Sequence, residues 1–547
     1  MSLRDRLEYL ATNGKGLAKL VPTLLRTGII APGDNPRALL HTPGIVARYW
    51  LSTAREIEQA ALICPDRPAL LDDEGTMTYR DLQQQATTFA RYLHQLPVDE
   101  IRLGIMARNG RGIVTPLVAK GYAGATIYLL NIGSSSEQLA GCIEENDINV
   151  LVIDSEFADR LPQPGSAAAT NLHVVIGHEG GEDTGEHLAL AEIVKRNIEQ
   201  KLPRFPKHGN IVLMSSGTTG VPKGIARPEP KLPTVLSTIL DAVPWKTNQT
   251  VQMTASIFHT WGWAMLNIAF ALRSTVVTRR IFDAEACLND IQEHRCEVLI
   301  SSPVFYKSMV TLDNTWDYDT SSLQVIASSG HALTPQVAAD TIERFGPILA
   351  NIYGSTELTL ASAATPQQIA EDPTVGGSIA NGTLLKILDG DGKEVPRGKV
   401  GKIYLRNATT MVGYTNPKHK LDRIGMLQSI GDLGYIDNDG MLHVLGRADE
   451  MIIVGGENVY PSSVDNVLDT MPGIADHYSK GVNDDETFSR IAAWIVKDPD
   501  GPEISADDVR EWVRTRLAEH SVPRDVHFVD ELPRNATGKV IPRQLSA

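Results

Sequence analysis

Cysteine and basic residues are scarce in this sequence, and their scarcity argues against several classes of protein. The 547 residues include four cysteines, Cys64, Cys142, Cys287 and Cys296, with no CxxC pair and no metal-like spacing. Neither a zinc site nor a disulfide framework is therefore expected, and a reducing cytoplasm is the predicted location. Lys and Arg number 51 against 66 Asp and Glu, a formal net charge of -15. Nucleic acid is disfavoured as a partner, because phosphate backbones are bound by clustered Lys and Arg.

Long apolar runs are also lacking. No stretch of about twenty uninterrupted apolar residues occurs, and the first residues lack the apolar run of a signal peptide, so neither membrane spanning nor secretion is expected. Within residues 17–30, apolar residues are mixed with Lys19 and Arg26, a pattern open to a short surface-seeking helix with weak membrane contact. Pro22 and Gly28 break the pattern, which favours a packed N-terminal arm.

Short β-rich apolar runs alternate with helical patterns along the first two thirds of the chain. The first series has strands at 102–107, 126–130 and 150–153 with helices at 113–122 and ending near Asn146; the second has strands at 275–278, 297–300 and 323–327 with a helix at 284–294. This βαβ rhythm predicts an α/β protein with two layers of mostly parallel sheet.

The pattern changes to strands and turns after about Val375. The turn residues 389–392 separate strand-like runs at 384–388 and 402–405, which predicts a small antiparallel or barrel-like unit. The last hundred residues carry core candidates of their own, with strands at 491–496 and 526–529 and a helix that Ser505 caps. We therefore predict a large N-terminal domain, residues 1–447, that includes the small β-barrel unit, and a small α+β C-terminal domain, residues 448–547.

The first chemical motif is a loop rich in glycine and hydroxyl residues. The string Met-Ser-Ser-Gly-Thr-Thr-Gly-Val-Pro-Lys-Gly occupies residues 214–224, directly after an apolar strand at 211–213. Glycines let the backbone turn its N–H groups inward, hydroxyls add donors, and Lys223 supplies positive charge, so the loop is suited to cradle phosphates. No Gly-Lys-Ser/Thr closes it, so it is not a Walker loop.

At this loop the sequence resembles the adenylate-forming superfamily, which comprises acyl-CoA synthetases, nonribosomal peptide adenylation domains and luciferases. Four further motifs follow in the family's order, at Tyr353–Glu357, Gly431–Tyr435, Gly446–Asp449 and Pro533–Lys539. The resemblance covers the chain beyond the first fifty residues and is closest to the fatty acyl-CoA synthetases. It implies an AMP-forming acid–thiol ligase that uses ATP, Mg²⁺ and coenzyme A.

The resemblance also implies roles for single residues. Adenylation brings a carboxylate to the α-phosphate of ATP, and these two anions repel, so positioning and positive charge must lower the barrier. Lys539 is the implied catalytic lysine at the acyl carboxylate and α-phosphate, and Glu357 with Thr218 is implied to hold Mg²⁺. The implied nucleotide-binding residues are Ser215, Ser216, Gly217, Thr218, Thr219, Gly220, Lys223, Gly330, His331, Tyr353, Gly354, Ser355, Thr356, Asp432 and Arg447.

For three of these residues the resemblance implies a specific contact with the nucleotide. Asp432 accepts both ribose hydroxyls, Arg447 lies beside the ribose and phosphate, and Tyr353 offers an aromatic face to adenine while also packing in the core. The segment at 326–333 departs from the family's usual Ser-Gly-Gly-Ala-Pro-Leu at three positions, one of which is His331. Both a substrate contact and a tolerated variant stay open for His331.

The substrate is addressed by the segment Ser256–Trp263. Relatives that activate amino acids place an aspartate here for the substrate ammonium, whereas this chain has His259 and Trp261, so an amino acid is disfavoured. The Phe-His-x-x-Gly pattern resembles that of fatty-acid and aryl-acid CoA ligases. It implies an acyl pocket formed by His259, Trp261, Gly262 and Gly330, and a simple core role for His259 stays open.

The second half-reaction is assigned to a mobile C-terminal domain. In the family this domain rotates about a hinge residue, which Asp449 matches, and so exchanges one catalytic face for another. Gly455, Gly456 and Glu457 are implied to line the coenzyme A tunnel, although a tight turn explains the glycines equally well. A homodimer is left open.

These observations predict an acyl-CoA synthetase of medium- or long-chain type. ATP and the acid give acyl-AMP and pyrophosphate, and coenzyme A then gives acyl-CoA and AMP. A ligase that loads a carrier protein and a β-lactone synthetase share the same motifs and stay open as alternatives. A nucleotide-binding or regulatory protein without catalysis is disfavoured by the intact Lys539, Glu357 and Asp432.

Overall fold

Two large sheets and a smaller C-terminal unit form the computed structural model. It describes residues 3–31, 33, 35–182, 185–215, 222–227, 234–411, 413–454, 457–484, 488–535 and 538–545. The helices are α1 Leu3–Thr27, α2 Ala38–Tyr49, α3 Thr53–Ile63, α4 Tyr79–Leu93, α5 Arg111–Ala123, α6 Ser136–Asn146, α7 Leu190–Ile193, α8 Leu236–Ala242, α9 Thr260–Ala271, α10 Ala284–Glu293, α11 Pro303–Val310, α12 Pro335–Phe345, α13 Pro366–Glu371, α14 Pro461–Leu468 and α15 Ala506–Arg514.

The strands follow the predicted series closely. They are β1 Pro68–Asp72, β2 Gly75–Thr78, β3 Arg102–Met106, β4 Thr126–Leu129, β5 Val150–Ile153, β6 His173–Ile176, β7 Leu188–Ala189, β8 Ile211–Ser215, β9 Lys223–Arg227, β10 Thr250–Met253, β11 Thr275–Val277, β12 Val298–Ser301, β13 Val325–Ser328, β14 Leu349–Ser355, β15 Thr359–Ala364, β16 Gly377–Ile379, β17 Leu384–Leu388, β18 Gly401–Arg406, β19 Gly413–Tyr414, β20 Asp422–Ile424, β21 Leu427–Ser429, β22 Asp432–Ile436, β23 Met441–Arg447, β24 Ile452–Val454, β25 Glu457–Val459, β26 Ile474–Asp484, β27 Phe488–Lys497 and β28 Asp525–Phe528.

The first sheet has the order β19-β9-β8-β4-β3-β5-β6-β7 and is parallel from β8 to β7. Its central strands are continuous apolar runs that are buried on both faces, as parallel strands covered by helices must be. The antiparallel strand β9 pairs with β8, so Ser215 and Lys223 face each other at the base of the predicted phosphate loop.

The second sheet is parallel from β1 to β14, in the order β1-β11-β10-β12-β13-β14. The antiparallel unit predicted after Val375 continues this sheet through β15, β16, β23, β22 and β18. The turn at 389–392 joins β17 to β18, which pair antiparallel as the sequence predicted. The unit is attached because β15 folds back on β14 and offers a free edge to β16. The α/β fold class with two sheet layers is confirmed.

The C-terminal residues form a core of their own. Strands β26, β27 and β28 make a sheet, β24 and β25 make a hairpin, and α14 and α15 pack on an apolar cluster that includes Val464 and Ile495. Ser505 caps α15 as predicted, since its side chain accepts the N–H of Asp508. The boundary between Arg447 and Ala448 stays a prediction.

The N-terminal segment is packed on the protein, but the break that was predicted at Pro22 does not occur. Helix α1 runs through Pro22 and ends at Thr27, followed by Gly28 with φ of 82°. Packing outweighs the hydrogen bond that Pro22 removes, because Leu20, Thr23 and Thr27 are buried against the protein. Among the residues that the structure describes, no helix is long and apolar enough to cross a membrane.

Candidate active site

The ends of β14 and β22 bring two predicted nucleotide-binding residues together. The hydroxyl of Tyr353 donates a hydrogen bond to Oδ2 of Asp432, although the two residues are 79 positions apart. Asp432 is buried, and burial raises its pKa, while the Tyr353 hydrogen bond and the charge of Arg447 oppose that rise. The carboxylate is therefore held in one orientation by a rigid phenol. A carboxylate has two acceptor oxygens, so Oδ1 of Asp432 is the one that a ligand hydroxyl would reach without displacing Tyr353.

A tight hairpin between β14 and β15 presents the next motif residues. A Cβ at Gly354 would lie 1.9 Å from the carbonyl oxygen of Thr359, so only glycine fits. Thr359 itself has φ of 66°, and the amide of Leu358 donates to Oγ of Ser355. The turn therefore projects Thr356 and Glu357 from the end of the sheet. The motif's glycine is explained by this close approach.

Glu357 lies in a polar network that includes two residues absent from the sequence prediction. The hydroxyl of Tyr414 donates to Oε1 of Glu357 at 3.3 Å, and Lys223 Nζ lies 5.9 Å from the centre of the Tyr414 ring. Arg227 is buried and donates through Nε to the carbonyl of Thr356 at 3.0 Å. Burial lowers the pKa of Arg227 to about 10, against the charge of Glu357. Arg227 lies on β9, three residues after the Pro-Lys-Gly string, and that position is a signal from which it could have been found.

The predicted hinge lies next to the predicted ribose contact. Asp432 and Arg447 are register partners in β22 and β23. Arg447 makes a two-point ion pair with Asp449, with Nε–Oδ1 at 2.8 Å and Nη2–Oδ2 at 3.1 Å. The hydrogen bond to Arg447 lowers the pKa of Asp449. Arg447 is therefore tied to the exposed residue that follows the strand.

The loop that carries Lys539 is anchored on both domains. Gly538 has φ of 82°, and a Cβ there would lie 2.4 Å from Cγ1 of Val304 on α11, so this loop is closely packed on the N-terminal part. Arg534 donates to the carbonyl of Gly538 at 2.6 Å and to both carboxylate oxygens of Asp476. The amide of Lys539 donates to Oδ1 of Asn535 at 3.0 Å. These contacts fix the backbone at the lysine.

The charges around Lys539 come from the predicted site. Burial lowers its pKa most, and Glu450 opposes this effect most strongly, followed by Asp432 and Glu357. Arg447 lowers the pKa further. The charges of three carboxylates, Glu450, Asp432 and Glu357, therefore act on the ammonium group of Lys539. Glu450, which burial in turn gives a raised pKa, was not singled out from the sequence.

Two histidines lie near the same lysine. Burial, and then the charge of Lys539, lowers the pKa of His259 to about 3. The same two causes, in the same order, lower the pKa of His331. With a pKa of about 3, the imidazole of His259 is neutral near pH 7. Within the described part of the chain, Nε2 of His259 is buried and has no hydrogen-bond partner.

The predicted acyl segment begins helix α9. His259 occupies its N-cap position, and Trp261 donates through Nε1 to the carbonyl of Ser301 at 3.0 Å. The hydroxyl of Thr260 donates to Oγ1 of Thr356 at 3.0 Å, which joins this segment to the β14–β15 turn. A Cβ at Gly262 would lie 2.3 Å from the carbonyl oxygen of Ser256, so the chain turns tightly here.

The remaining predicted residues are only partly described. Gly330 follows β13 with φ of 88°, and a Cβ there would lie 3.2 Å from Oγ of Ser302. Glu457 begins β25, where it pairs with Val454 of β24. The phosphate-loop residues Ser216, Gly217, Thr218, Thr219 and Gly220 and the tunnel residues Gly455 and Gly456 lie outside the described residues.

Two family models match the chain. The model described as "AMP-binding enzyme" matches residues 57–415, and the model described as "AMP-binding enzyme C-terminal domain" matches residues 463–539. The first match includes the phosphate loop and the β14–β15 turn. The second ends at Lys539.

Individual relatives match over most of their length. A fatty acid–[acyl-carrier-protein] ligase, ScoC of Streptomyces coeruleorubidus, is 26% identical over 503 residues, which cover 88% of this chain and 93% of the relative. A feruloyl-CoA synthase of Amycolatopsis sp is 26% identical and covers 88% of this chain and 96% of the relative. The solved anthranilate CoA ligase AuaEII, in complex with anthranoyl-AMP, has a TM-score of 0.81 at 23% identity, covering 91% of this chain and 96% of its own.

Proposed function

The chain belongs to the family of AMP-binding enzymes and is an adenylate-forming acid–thiol ligase, and from that premise we propose that it is an acyl-CoA synthetase for a medium- or long-chain fatty acid. In the first step the acid's carboxylate oxygen attacks the α-phosphorus of ATP, and pyrophosphate leaves. In the second step the thiol of coenzyme A attacks the acyl carbonyl of the acyl-AMP. AMP leaves and the thioester forms.

The observation that carries this proposal is the position of Lys539. Its loop is held on the N-terminal part by the close packing of Gly538 on Val304, and the charges of Asp432 and Glu357 raise the pKa of its ammonium group against the effect of burial. A positive charge beside the ribose-binding and metal-binding carboxylates is what two converging anions require. This arrangement supports the adenylation orientation of the C-terminal domain. Lys539 would then bind the acyl carboxylate and the α-phosphate.

Glu357 is the residue proposed to hold Mg²⁺. Mg²⁺ binds through one or two carboxylates together with substrate phosphates and water, so one protein carboxylate at the phosphate loop fits its chemistry. The Tyr414 hydrogen bond orients Glu357, and Nζ of Lys223 lies over the same ring, 5.9 Å from its centre. The metal ion, when bound, neutralises phosphate charge. Thr218 stays a proposed second contact.

The acyl segment supports a substrate whose far end is uncharged. Helix α9 has the apolar sequence TWGWAMLNIAFA, and His259 at its start is neutral because burial lowers its pKa to about 3. An ammonium or second carboxylate on the substrate would therefore find no counter-charge at His259. The relatives are named for different acids, since ScoC is named for a fatty acid and the Amycolatopsis enzyme for ferulate. The fatty acid is preferred here for the apolar character of α9.

A carrier protein is the second candidate acceptor. The similarity to ScoC, which is named as an acyl-carrier-protein ligase, favours it, because the first half-reaction is the same and only the thiol differs. Coenzyme A is preferred because the feruloyl-CoA synthase and AuaEII are both named for it. The two candidates predict different products with free coenzyme A.

The deciding experiment is mass spectrometry of products after incubation with ATP and Mg²⁺ and a panel of fatty, β-hydroxy and aryl acids, with and without coenzyme A. We expect acyl-CoA from medium- or long-chain fatty acids in the presence of coenzyme A. Acyl-AMP that accumulates regardless of coenzyme A would support the carrier-protein ligase, and a lactone would support ring closure. Failure of every acid to release pyrophosphate would overturn the proposal.

A further inference from the structure

Helix α1 carries a row of exposed aliphatic side chains along its whole length. We call Leu7, Leu10, Leu17, Val21 and Leu25 the α1 stripe; each is between 43% and 65% exposed. Their spacing of three, four and seven residues places them on one face of the helix. From Leu7 to Leu25 the stripe is about 27 Å long at 1.5 Å per residue. Single exposed leucines are ordinary, whereas an aligned row of this length indicates an interaction surface.

The opposite face holds α1 on the protein and so turns the stripe outward. Leu20, Thr23 and Thr27 are buried, and a Cβ at Gly16 would lie 2.9 Å from the backbone nitrogen of Gly382. Nη2 of Arg26 pairs with Oδ1 of Asp241 at 2.6 Å. The helix is thus packed through one face, and the stripe is not needed for that packing.

The charge of α1 is opposite to that of the whole chain. Residues 3–27 contain five basic and two acidic side chains, a net charge of +3, in a chain whose formal net charge is -15. Lys15 and Lys19 are exposed. At 3.6 residues per turn they lie about 80° and about 120° around the helix from the nearest stripe residue, with Lys15 the nearer of the two to the stripe and Lys19 the nearer to the buried face. Long lysine side chains at such a position reach a charged surface while the apolar row faces inward. The combination of an apolar row with flanking lysines suits an anionic lipid interface.

We propose that α1 docks this protein on the surface of an anionic lipid bilayer, with the α1 stripe at the acyl boundary and Lys15 and Lys19 at the headgroups. A second copy of the chain is a poorer occupant, because pairing two α1 helices would bring two charges of +3 together. A stable dimer also needs about 800 Å² per partner, more than five aliphatic side chains provide. Docking at the membrane would place the enzyme where apolar acids partition.

Co-sedimentation of the full-length protein with vesicles tests this proposal. Vesicles of phosphatidylglycerol and phosphatidylcholine are compared with vesicles of phosphatidylcholine alone, and wild type is expected to prefer the anionic vesicles. L10E/L17E should lower binding at least tenfold, because it places two carboxylates in the stripe. K15Q/K19Q, which leaves the stripe intact, should lower binding to the anionic vesicles about 25-fold at fivefold per lysine.

Trp316→Glu is the matched control, since Trp316 is 64% exposed and lies outside α1. It should bind like wild type. Equal binding by wild type and both α1 double variants would overturn the proposal, as would a dimer in light scattering that depends on the stripe without vesicle binding. The vesicle measurement does not use the chemistry of the site, so loss of ligase activity and loss of docking are separate results.

Discussion

The pKa of Lys539 depends on charged side chains from several of the predicted site motifs. Lys539 lies more than a hundred residues from Asp432 of β22 and from Glu357 of the β14–β15 turn along the chain, yet the charges of both carboxylates act on its pKa. The packing of Gly538 against Val304 and the Arg534–Asp476 ion pair hold its loop in place. Its proposed role belongs to one half-reaction, since a rotated C-terminal domain would carry it away.

We expect Lys539→Ala to lower the rate of acyl-AMP formation by about a hundredfold or more, because a positive charge at the reacting anions is lost. Thioester formation from acyl-AMP supplied ready-made should change less than about threefold, because the lysine serves the first step alone. The two rates are measured by pyrophosphate release and by acyl-CoA formation. An equal loss in both would contradict the assignment.

Tyr414 is expected to position Glu357 for the metal ion. Tyr414→Phe removes the hydroxyl that donates to Oε1 of Glu357 at 3.3 Å. The Mg²⁺ concentration for half-maximal adenylation should therefore rise about tenfold, because a hydrogen bond to a charged group contributes about 1.5 kcal/mol. Tyr404→Phe is the control, because Tyr404 donates to Asp422 at 2.7 Å outside the site. It should leave the Mg²⁺ dependence as in wild type. A shift of equal size in both variants would mean that Tyr414 acts through stability alone.

Among the elements, the β14–β15 hairpin sets the position of Thr356 and Glu357. Its geometry depends on Gly354, where even one methyl group would overlap the carbonyl of Thr359. The same hairpin is joined to α9 by the Thr260–Thr356 hydrogen bond. The proposed acyl segment and Glu357, the carboxylate proposed to hold Mg²⁺, are therefore fixed relative to each other by one turn.

Gly354→Ala should lower the free energy of unfolding by about 2 kcal/mol or more, since the added Cβ meets backbone at 1.9 Å and the hairpin must open. Gly44→Ala is the matched control, because nothing lies within 4 Å of a Cβ at that position in α2. It should be neutral or stabilise by about 0.5–1 kcal/mol through helix propensity. Thermal unfolding of the two variants beside wild type measures both effects. Similar midpoints for the two variants would refute the steric argument.

In the whole molecule, the two parts of the chain meet at Asp469, at the end of α14. Its carboxylate accepts hydrogen bonds from Thr334 and from His477 at 3.2 Å, and Lys307 Nζ lies 3.5 Å away. Lys307 and Thr334 belong to the N-terminal part, and His477 belongs to the C-terminal part. Burial alone would raise the pKa of Asp469, but His477, Thr334 and Lys307 lower it to about 2.

His477 makes stability depend on pH. Burial would lower its pKa, but Asp465 and Asp469 raise it from 6.5 to about 9. A group whose pKa is raised by folding stabilises the folded state fully at pH values below its pKa in the unfolded chain. The contribution of His477 is therefore complete below pH 6.5 and is lost as the pH rises through about 9. The difference in melting temperature between wild type and His477→Gln should therefore be large near about pH 6 and small near about pH 10. A difference that stays constant over this range would contradict the prediction.

Much of the fold followed from the sequence. The strands at 102–107 and 150–153 were predicted within one residue, and the start of the helix after its cap Ser505 was predicted correctly, because continuous buried runs and capping residues are local signals. The end of that helix, predicted at Leu517, lies at Arg514. Helix α1 was predicted less well, because the packing of Leu20 and Thr27 overrides Pro22. The family and the α/β class are confirmed, whereas the site roles, the domain boundary, the homodimer and the cytoplasmic location stay predictions.

By itself the sequence determined the family and the motif residues, since complete strings such as the one at 214–224 carry their chemistry in residue type and spacing. Tertiary structure alone decided that Tyr353 orients Asp432 and that Tyr414 and Arg227 support the Glu357 turn. It alone also brought the charges of Asp432 and Glu357 to act on Lys539. The physical reason is distance along the chain. Contacts between residues that lie tens to hundreds of positions apart depend on sheet order and packing, which leave no local pattern in the sequence.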